Sequence, residues 1–285
     1  MQPQQAHRTS ASGSVLGSPR MSPLRCTVAV LALFSGCVPE PASAVEIRTA
    51  VDELVDQTRA MAIEHVLVDL TTNVDPAPSP RELAKVVRAS VATVVACADV
   101  SATDATVRID FGDGACSVAG RPFVGNLEVI FDEPTPGGRM ATITFVDLES
   151  EGSAITGTME VTWGADETRR VLSEVRFDTP DMRQIEIQSD RILRTRLGAL
   201  QVDGWHRWQT LLGRWKMELR GWEQRPGAPV PDRGIADIAS PYEHDITLDF
   251  TGPRTEGHEL RANGGRRDHV FAVTPEGEIL DLGED

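Results

Sequence analysis

Two aspartates on a predicted tight loop are of a type and spacing that could do chemistry. Asp110 and Asp113 flank residues 111–112, and several carboxylate oxygens on a short loop are what a hard cation such as Ca²⁺ requires. Their spacing matches neither an EF-hand loop nor a glycine–aspartate repeat. The sequence therefore favours a turn closed by an aspartate side chain over a metal site.

A second group of ionisable residues could supply metal ligands or an acid–base pair. Glu243, His244 and Asp245 are consecutive, and His258 and His269 follow. The sequence has no H-E-x-x-H motif, so we interpret these residues as solvated loop side chains. Nucleophile-elbow, P-loop and dinucleotide-binding motifs are absent from it as well. The sequence predicts no catalytic residue, no metal and no cofactor.

Tryptophans are concentrated in one short stretch. Four of the chain's five lie within eighteen residues: Trp205, Trp208, Trp215 and Trp222. Indole rings on an exposed strand face can stack on a sugar or another flat ligand. Trp215 alternates in step with Met217 and Leu219, which is the spacing of residues that face the core. Trp208 and Trp222 are at even-numbered positions, out of step with Trp215, and are therefore candidates for the outer face. Trp205, Trp208 and Trp222 are therefore ligand-binding candidates, with packing in the core or over the sheet as the favoured alternative.

The composition is that of a folded, acidic chain. Its 285 residues are 40% apolar and 25% charged, and 43 acidic against 28 basic residues give a formal net charge of -15. A surface with this charge repels phosphate groups, so the sequence argues against nucleic acid as a partner and against a polybasic membrane patch. The length is enough for one large domain or two modest ones.

The N-terminal region has the pattern of an export signal. Residues 1–20 carry no acidic group and no periodicity, so we expect disorder there, or a true start at Met21 instead of Met1. Arg25 then precedes the apolar run 26–34, which is too short to span a bilayer comfortably. We therefore expect the protein to be exported.

Two processing sites compete after this signal. Residues 33–37 resemble a bacterial lipobox ending at Cys37, although Phe34 stands where an aliphatic residue is usual. Residues 42–44 form an A-x-A site for ordinary signal peptidase. Cleavage before Cys37 would leave a lipid-anchored protein, and cleavage after Ala44 would leave a secreted soluble one. We favour lipidation of Cys37.

Two cysteines are left for the folded region. Cys26 belongs to the signal and Cys37 to the anchor, which leaves Cys97 and Cys116. Because no C-x-x-C spacing is present and an exported protein meets an oxidising compartment, the sequence predicts a disulfide between them. Two buried free thiols are the alternative.

Helices are predicted before Cys97. Apolar residues recur at helical spacing over 46–70, which predicts an amphipathic helix. After a proline-rich break, Ser79, Pro80 and Glu82 form the pattern of a capping box that begins a second helix.

Strands are predicted after Cys97, since apolar and polar residues then alternate, most clearly over 155–163. Short polar turns between the alternating runs imply antiparallel pairing. The predicted fold class is mainly β, an antiparallel meander or sandwich-like sheet with one or two N-terminal helices. The predicted divisions are a leader at 1–44, a helical segment at 45–96, a β domain at 97–223, a Pro/Gly-rich loop at 224–241 and C-terminal strands at 242–285.

One stretch carries a recognisable pattern. It runs through residues 107–112, Cys116, Gly120, Arg121, Gly125 and the strand at 127–131, with Cys97 upstream. Over about residues 95 to 163 this pattern resembles uncharacterised secreted lipoproteins of Gram-negative bacteria, notably Bacteroidetes. The resemblance implies helices followed by β structure and a lipid anchor, and it implies no known activity.

These observations together predict a non-catalytic lipoprotein of a Gram-negative cell envelope with a scaffolding or binding role. Its expected partners are a membrane, through the N-terminal lipid, and a glycan or another envelope protein. A carbohydrate-binding or other flat-ligand module that uses the tryptophans is the first alternative. A secreted hydrolase is the second, and it predicts a concave site in which a carboxylate or histidine has a shifted pKa.

Overall fold

The computed structural model describes residues 40–284 apart from 115, 136–137, 165, 182, 197–198, 226–227 and 255–256. Met1, Met21 and the lipobox ending at Cys37 lie outside the described residues. Residues Glu40–Asp285 belong to one compact unit.

The described residues form two helices and fifteen strands. The helices are α1 (Ala44–Thr72) and α2 (Pro80–Val94). The strands are β1 (Asp99–Thr103), β2 (Thr106–Asp110), β3 (Cys116–Val118), β4 (Arg121–Phe131), β5 (Met140–Ser150), β6 (Ser153–Trp163), β7 (Arg169–Asp178), β8 (Gln184–Arg196), β9 (Ala199–Thr210), β10 (Gly213–Gln224), β11 (Arg233–Ala239), β12 (Asp245–Arg254), β13 (Gly257–Asn263), β14 (Asp268–Val273) and β15 (Ile279–Glu284).

The strands build one antiparallel sheet in which sequence neighbours are spatial neighbours. The order runs from β1 to β15 without a crossover, except that β3 pairs only with β4 and leaves β2 beside β4. Short turns allow this arrangement, because antiparallel strands need no long connection. The predicted mainly β, antiparallel fold is confirmed.

Helix α2 begins where the sequence predicts. The backbone N–H of Glu82 donates to Ser79 Oγ, the backbone N–H of Ser79 donates to Glu82 Oε2, and Pro80 is the first helical residue. The helix buries Leu83 and Val87 and packs against β1, β2 and β4. The capping box thus sets the direction in which the apolar stripe meets the sheet.

Helix α1 departs from the amphipathic helix predicted over 46–70. It extends two residues further at each end, and its buried residues include Glu53, Gln57 and Glu64 as well as Leu54 and Leu67, while only a narrow stripe that includes residues 52 and 59 stays exposed. The exposed face is therefore narrower than the amphipathic pattern predicts, because the sheet curves around α1 and supplies polar partners on its inner face.

The predicted loop at 224–241 is also shorter than expected. Residues Arg233–Ala239 form β11, which pairs with β10 and β12. Ala236 and Ile238 face the core. This alternation of buried and exposed residues covers only a few positions and directly follows several prolines, which is why the sequence indicates a loop.

The predicted disulfide is confirmed. Cys97 Sγ and Cys116 Sγ are 2.05 Å apart. The bond joins the residues after α2 to the first residue of β3, the strand that lies off the main order of the sheet.

Candidate functional site

A cavity of about 730 Å³ lies between the C-terminal half of α1 and the inner face of β8, β9 and β10. Met61 on α1 and Leu193, Val202 and Trp222 on the sheet are among its walls, and most of the exposed wall is apolar. This volume is within the range of small-molecule sites. The cavity is therefore the candidate functional site.

A buried ion pair forms part of the wall. Arg191 Nη2 donates to Glu64 Oε2, and the two side chains are 4% and 1% exposed. Ser173 Oγ bridges them, since it accepts from Arg191 Nη2 at 3.2 Å and donates to Glu64 Oε2 at 3.3 Å. Glu64 Oε1 and Arg191 Nε are buried without a hydrogen-bond partner among the described residues. Unpaired buried polar atoms are costly, so the ion pair keeps one acceptor and one donor that the described residues leave unused.

A second charged group lies one turn further along α1. His65 Nε2 is 3.2 Å from Asp69 Oδ2, and Arg169 donates to the other carboxylate oxygen. Burial would raise the pKa of Asp69, but contact with His65 and Arg169 outweighs burial and lowers that pKa to about 2. The Asp69 carboxylate is therefore ionised at neutral pH, where it is a weak base and cannot serve as a general acid.

The polar face of α1 continues away from the cavity. His206 Nε2 is 2.9 Å from Gln57 Oε1, and Trp208 Nε1 donates to Glu53 Oε2 at 2.8 Å. Burial raises the pKa of Glu53 despite that hydrogen bond. These contacts seat the polar side chains of α1 against β9 and hold the helix in register with the sheet.

His206 is expected to make folding stability depend on pH. It has no exposed surface, and burial, followed by the nearby charge of Arg191, lowers its pKa well below 6.5. Below pH 6.5 the unfolded chain therefore gains a proton that the folded chain does not, so stability is greatest above this pH and falls by up to about 1.4 kcal/mol per pH unit beneath it.

The substitution His206→Gln keeps a donor toward Gln57 and removes the titration. Chemical denaturation between pH 5 and pH 8 should show a smaller acid loss in this variant than in the unsubstituted chain. Two parallel stability curves would show that His206 does not contribute the pH dependence.

Trp208 and Trp222 are candidates for the outer face by sequence, but both pack in the core, as the favoured alternative predicts. The register pairs Trp208 with Trp215, so both indoles point inward and stack at 5.8 Å. A bulge that includes Gly221, with φ of 57°, reverses the alternation before Trp222, which is 1% exposed and lines the cavity. Trp205 is half-buried on the outer face with the Arg207 guanidinium 4.6 Å from its ring centre.

The other candidates occupy separate places. Asp110 Oδ1 accepts from the Gly112 N–H at 2.7 Å, which confirms the predicted turn. Each of three histidines has its own acidic neighbour: His244 with Glu46, His258 with Asp232 and His269 with Glu284. Among the described residues, no cluster of three or more His, Cys, Asp or Glu is placed to hold a metal ion.

Sequence reasoning missed the ion pair in the wall. The alternation along β8 could have placed Arg191 in the core. Ile185, Ile187 and Leu193 lie at alternate positions of the same strand and all face inward, as Arg191 does. Glu64 likewise follows the apolar spacing of α1. A charged residue at a core position on both elements could have suggested a buried pair, although its partner could not be identified from spacing.

Comparisons of the chain with protein-family models, with curated proteins and with solved structures found no match. In the part of the chain that the structure describes, neither helix is both long enough and apolar enough to cross a bilayer.

Proposed function

We propose that this protein is a non-catalytic, lipid-anchored envelope protein that binds a largely apolar small molecule in the cavity beneath α1. The observation that carries the proposal is the cavity itself, with mainly apolar walls and with Glu64 and Arg191 at its surface. Apolar walls with a few fixed polar groups are typical of small-molecule sites, because burial supplies affinity and the polar groups set orientation.

The unpaired atoms of the ion pair indicate the chemistry of the ligand. Glu64 Oε1 can only accept a hydrogen bond and Arg191 Nε can only donate one, and neither has a partner among the described residues. A hydroxyl group both donates and accepts, so one hydroxyl can serve both atoms without adding a charge. The pair is neutral as a whole, which disfavours a ligand with an uncompensated charge. We therefore expect an apolar ligand that carries a hydroxyl, of the class of long-chain alcohols.

A binding role is supported by the way the charged groups are occupied. Glu64 is engaged by Arg191, and Asp69 by His65 and Arg169. The pKa of Asp69 is shifted down, whereas an acid catalyst at neutral pH needs a carboxyl pKa raised toward 7. Each carboxylate at the cavity is thus fixed by a charged partner, which favours a structural or binding role over proton transfer.

A cavity-filling substitution tests the binding site. Ala62 lies on α1 at the cavity wall, and Ala62→Trp would place an indole in the space that the ligand needs. We expect 1-dodecanol to bind the unsubstituted chain saturably in isothermal titration calorimetry and Ala62→Trp at least about tenfold more weakly. Dodecane should also bind at least about tenfold more weakly than 1-dodecanol, because it leaves Glu64 and Arg191 unpaired.

Ala89→Trp is the matched control, since Ala89 is exposed on α2 and does not line the cavity. It should bind 1-dodecanol like the unsubstituted chain. Equal affinity in all three proteins, or uptake that never saturates, would contradict the proposed site.

Anchoring through Cys37 is supported by the start of α1. Ser43 and Glu46 form a capping box, in which the Ser43 N–H donates to Glu46 Oε2 at 2.7 Å. The Ala42 N–H also donates to the Gly264 carbonyl oxygen at 2.9 Å. Processing after Ala44 would remove both contacts, and loss of such a cap costs about 1 kcal/mol. A mature chain that begins upstream, at Cys37, keeps them.

A further inference from the structure

Two neighbouring turns expose apolar side chains. Leu211 and Leu212, between β9 and β10, are 94% and 48% exposed, and Tyr242, between β11 and β12, is 44% exposed. The turns are in contact, since a Cβ atom on Gly213 would lie 2.7 Å from Pro241 Cβ. Single exposed apolar residues are ordinary, but a contiguous group marks an interaction surface. We call Leu211, Leu212 and Tyr242 the apolar tip.

The apolar tip lies beside the start of α1. His244 Nδ1, two residues after Tyr242, is 3.0 Å from Glu46 Oε1 in the first turn of the helix, and the adjacent Val45 is 76% exposed. The described chain begins at Glu40, so Cys37 is at most about 10 Å of extended chain away from that residue. A lipid on Cys37 would therefore hold this end of the molecule at the bilayer surface.

Basic side chains flank the tip on the outer face of the same hairpin. Arg207 and Lys216 are directly opposite each other across β9 and β10, and Arg214 also lies on this face. Among the described residues, Arg207 and Arg214 take part in no ion pair, in a chain whose net charge is -15. The basic residues therefore lie on the hairpin that carries the two leucines. Tyr242, on the other turn, is followed by the acidic Glu243.

We propose that the apolar tip inserts into the surface of the bilayer that holds the lipid anchor, with Leu211 and Leu212 deepest. This inference rests on the proposed anchoring at Cys37. Transfer of the leucine side chains out of water is favourable, and the long stems of Arg207 and Arg214 let their charged ends stay among the lipid phosphates. The anchor and the tip would together fix the orientation of the sheet on the membrane.

A depth measurement on the full chain tests this inference. The chain is reconstituted in vesicles of phosphatidylethanolamine and phosphatidylglycerol, and NBD is attached to Leu211→Cys. The matched control is Leu172→Cys, which is 37% exposed on the outer face of β7 and about 20 Å along the strands from the tip. The unsubstituted chain, treated with the same reagent, supplies the blank: Cys97 and Cys116 are bonded to each other, and any label on Cys26 or Cys37 appears equally in the blank and is subtracted.

We expect lipids with a nitroxide high on the acyl chain to quench the label at 211 at least about twofold more than the label at 172. Adding Leu212→Asp to the 211-labelled chain should reduce this quenching toward the control, because a carboxylate resists transfer from water. Equal quenching at both positions would overturn the inference. NBD fluorescence at 211 that rises with the density of protein on the vesicles but is not quenched by the nitroxide lipids would assign the tip to a contact with a second copy of the chain. This result would overturn the inference as well.

Flotation of the vesicles and mass spectrometry of the N-terminus separate this result from the anchoring itself. A chain that floats with an acylated Cys37 but shows equal quenching contradicts insertion of the tip and leaves anchoring intact. A chain that neither floats nor carries an acyl group contradicts anchoring, and the inference about the tip then fails with it.

Discussion

Replacing Arg191 with methionine is expected to lower the free energy of unfolding by about 3–5 kcal/mol, because it leaves the Glu64 carboxylate buried without its counter-charge. Glu64 is 1% exposed, and its remaining partner is the Ser173 hydroxyl. The double variant Glu64→Leu with Arg191→Met removes both charges and should recover most of this loss, since a buried ion pair contributes little over apolar residues of similar size. Urea denaturation of the three proteins measures the effect.

An exposed ion pair next to the buried one provides the control. Arg170 on β7 donates to both carboxylate oxygens of Asp190 on β8, at 2.8 and 2.6 Å, and its side chain is 57% exposed. Arg170→Met should therefore cost no more than about 1 kcal/mol. If Arg191→Met is as mild as Arg170→Met, the Glu64 carboxylate is not held in the dry environment that the structure shows.

Removing the disulfide is expected to cost about 3 kcal/mol, or roughly a 150-fold change in the folding equilibrium. Cys97 and Cys116 are 19 residues apart, and their bond restricts the unfolded chain over this segment. Because Cys116 is buried and Cys97 is exposed, the variant of choice combines Cys116→Ala with Cys97→Ser. Thermal and urea denaturation of the oxidised chain and the variant measure the difference.

Reduction of the unsubstituted chain provides a second route to the same state. Dithiothreitol should lower its stability to that of the double variant and should leave the variant unchanged. A variant as stable as the oxidised chain would show that β3 and the end of α2 are held by packing and not by the bond.

Much of the fold could be predicted from short stretches of the sequence. The alternation over 155–163 gave the correct faces of β6, where Ile155, Met159 and Val161 are buried. The capping box at Ser79 gave the start of α2. In both cases the pattern depends on neighbours within a few residues, which the sequence shows directly.

The tryptophans show where reasoning from parity fails. Parity along the chain does not carry across a turn, and the pairing of Trp208 with Trp215 depends on the register of β9 against β10. Parity also fails beyond a bulge, as it does between Leu219 and Trp222. Neither the register nor the bulge is visible in apolar spacing.

The sequence by itself determined the fold class, the start of α2 and the pairing of Cys97 with Cys116. Periodicity and capping involve residues only a few positions apart, and the folded region has only two cysteines that can pair. The tertiary structure decided that the sheet curves around most of α1 and that Glu64 meets Arg191, which is 127 residues away. It also decided that a cavity remains beside this pair. Such contacts depend on how the sheet curves around the helix, and curvature is a property of all the strands together.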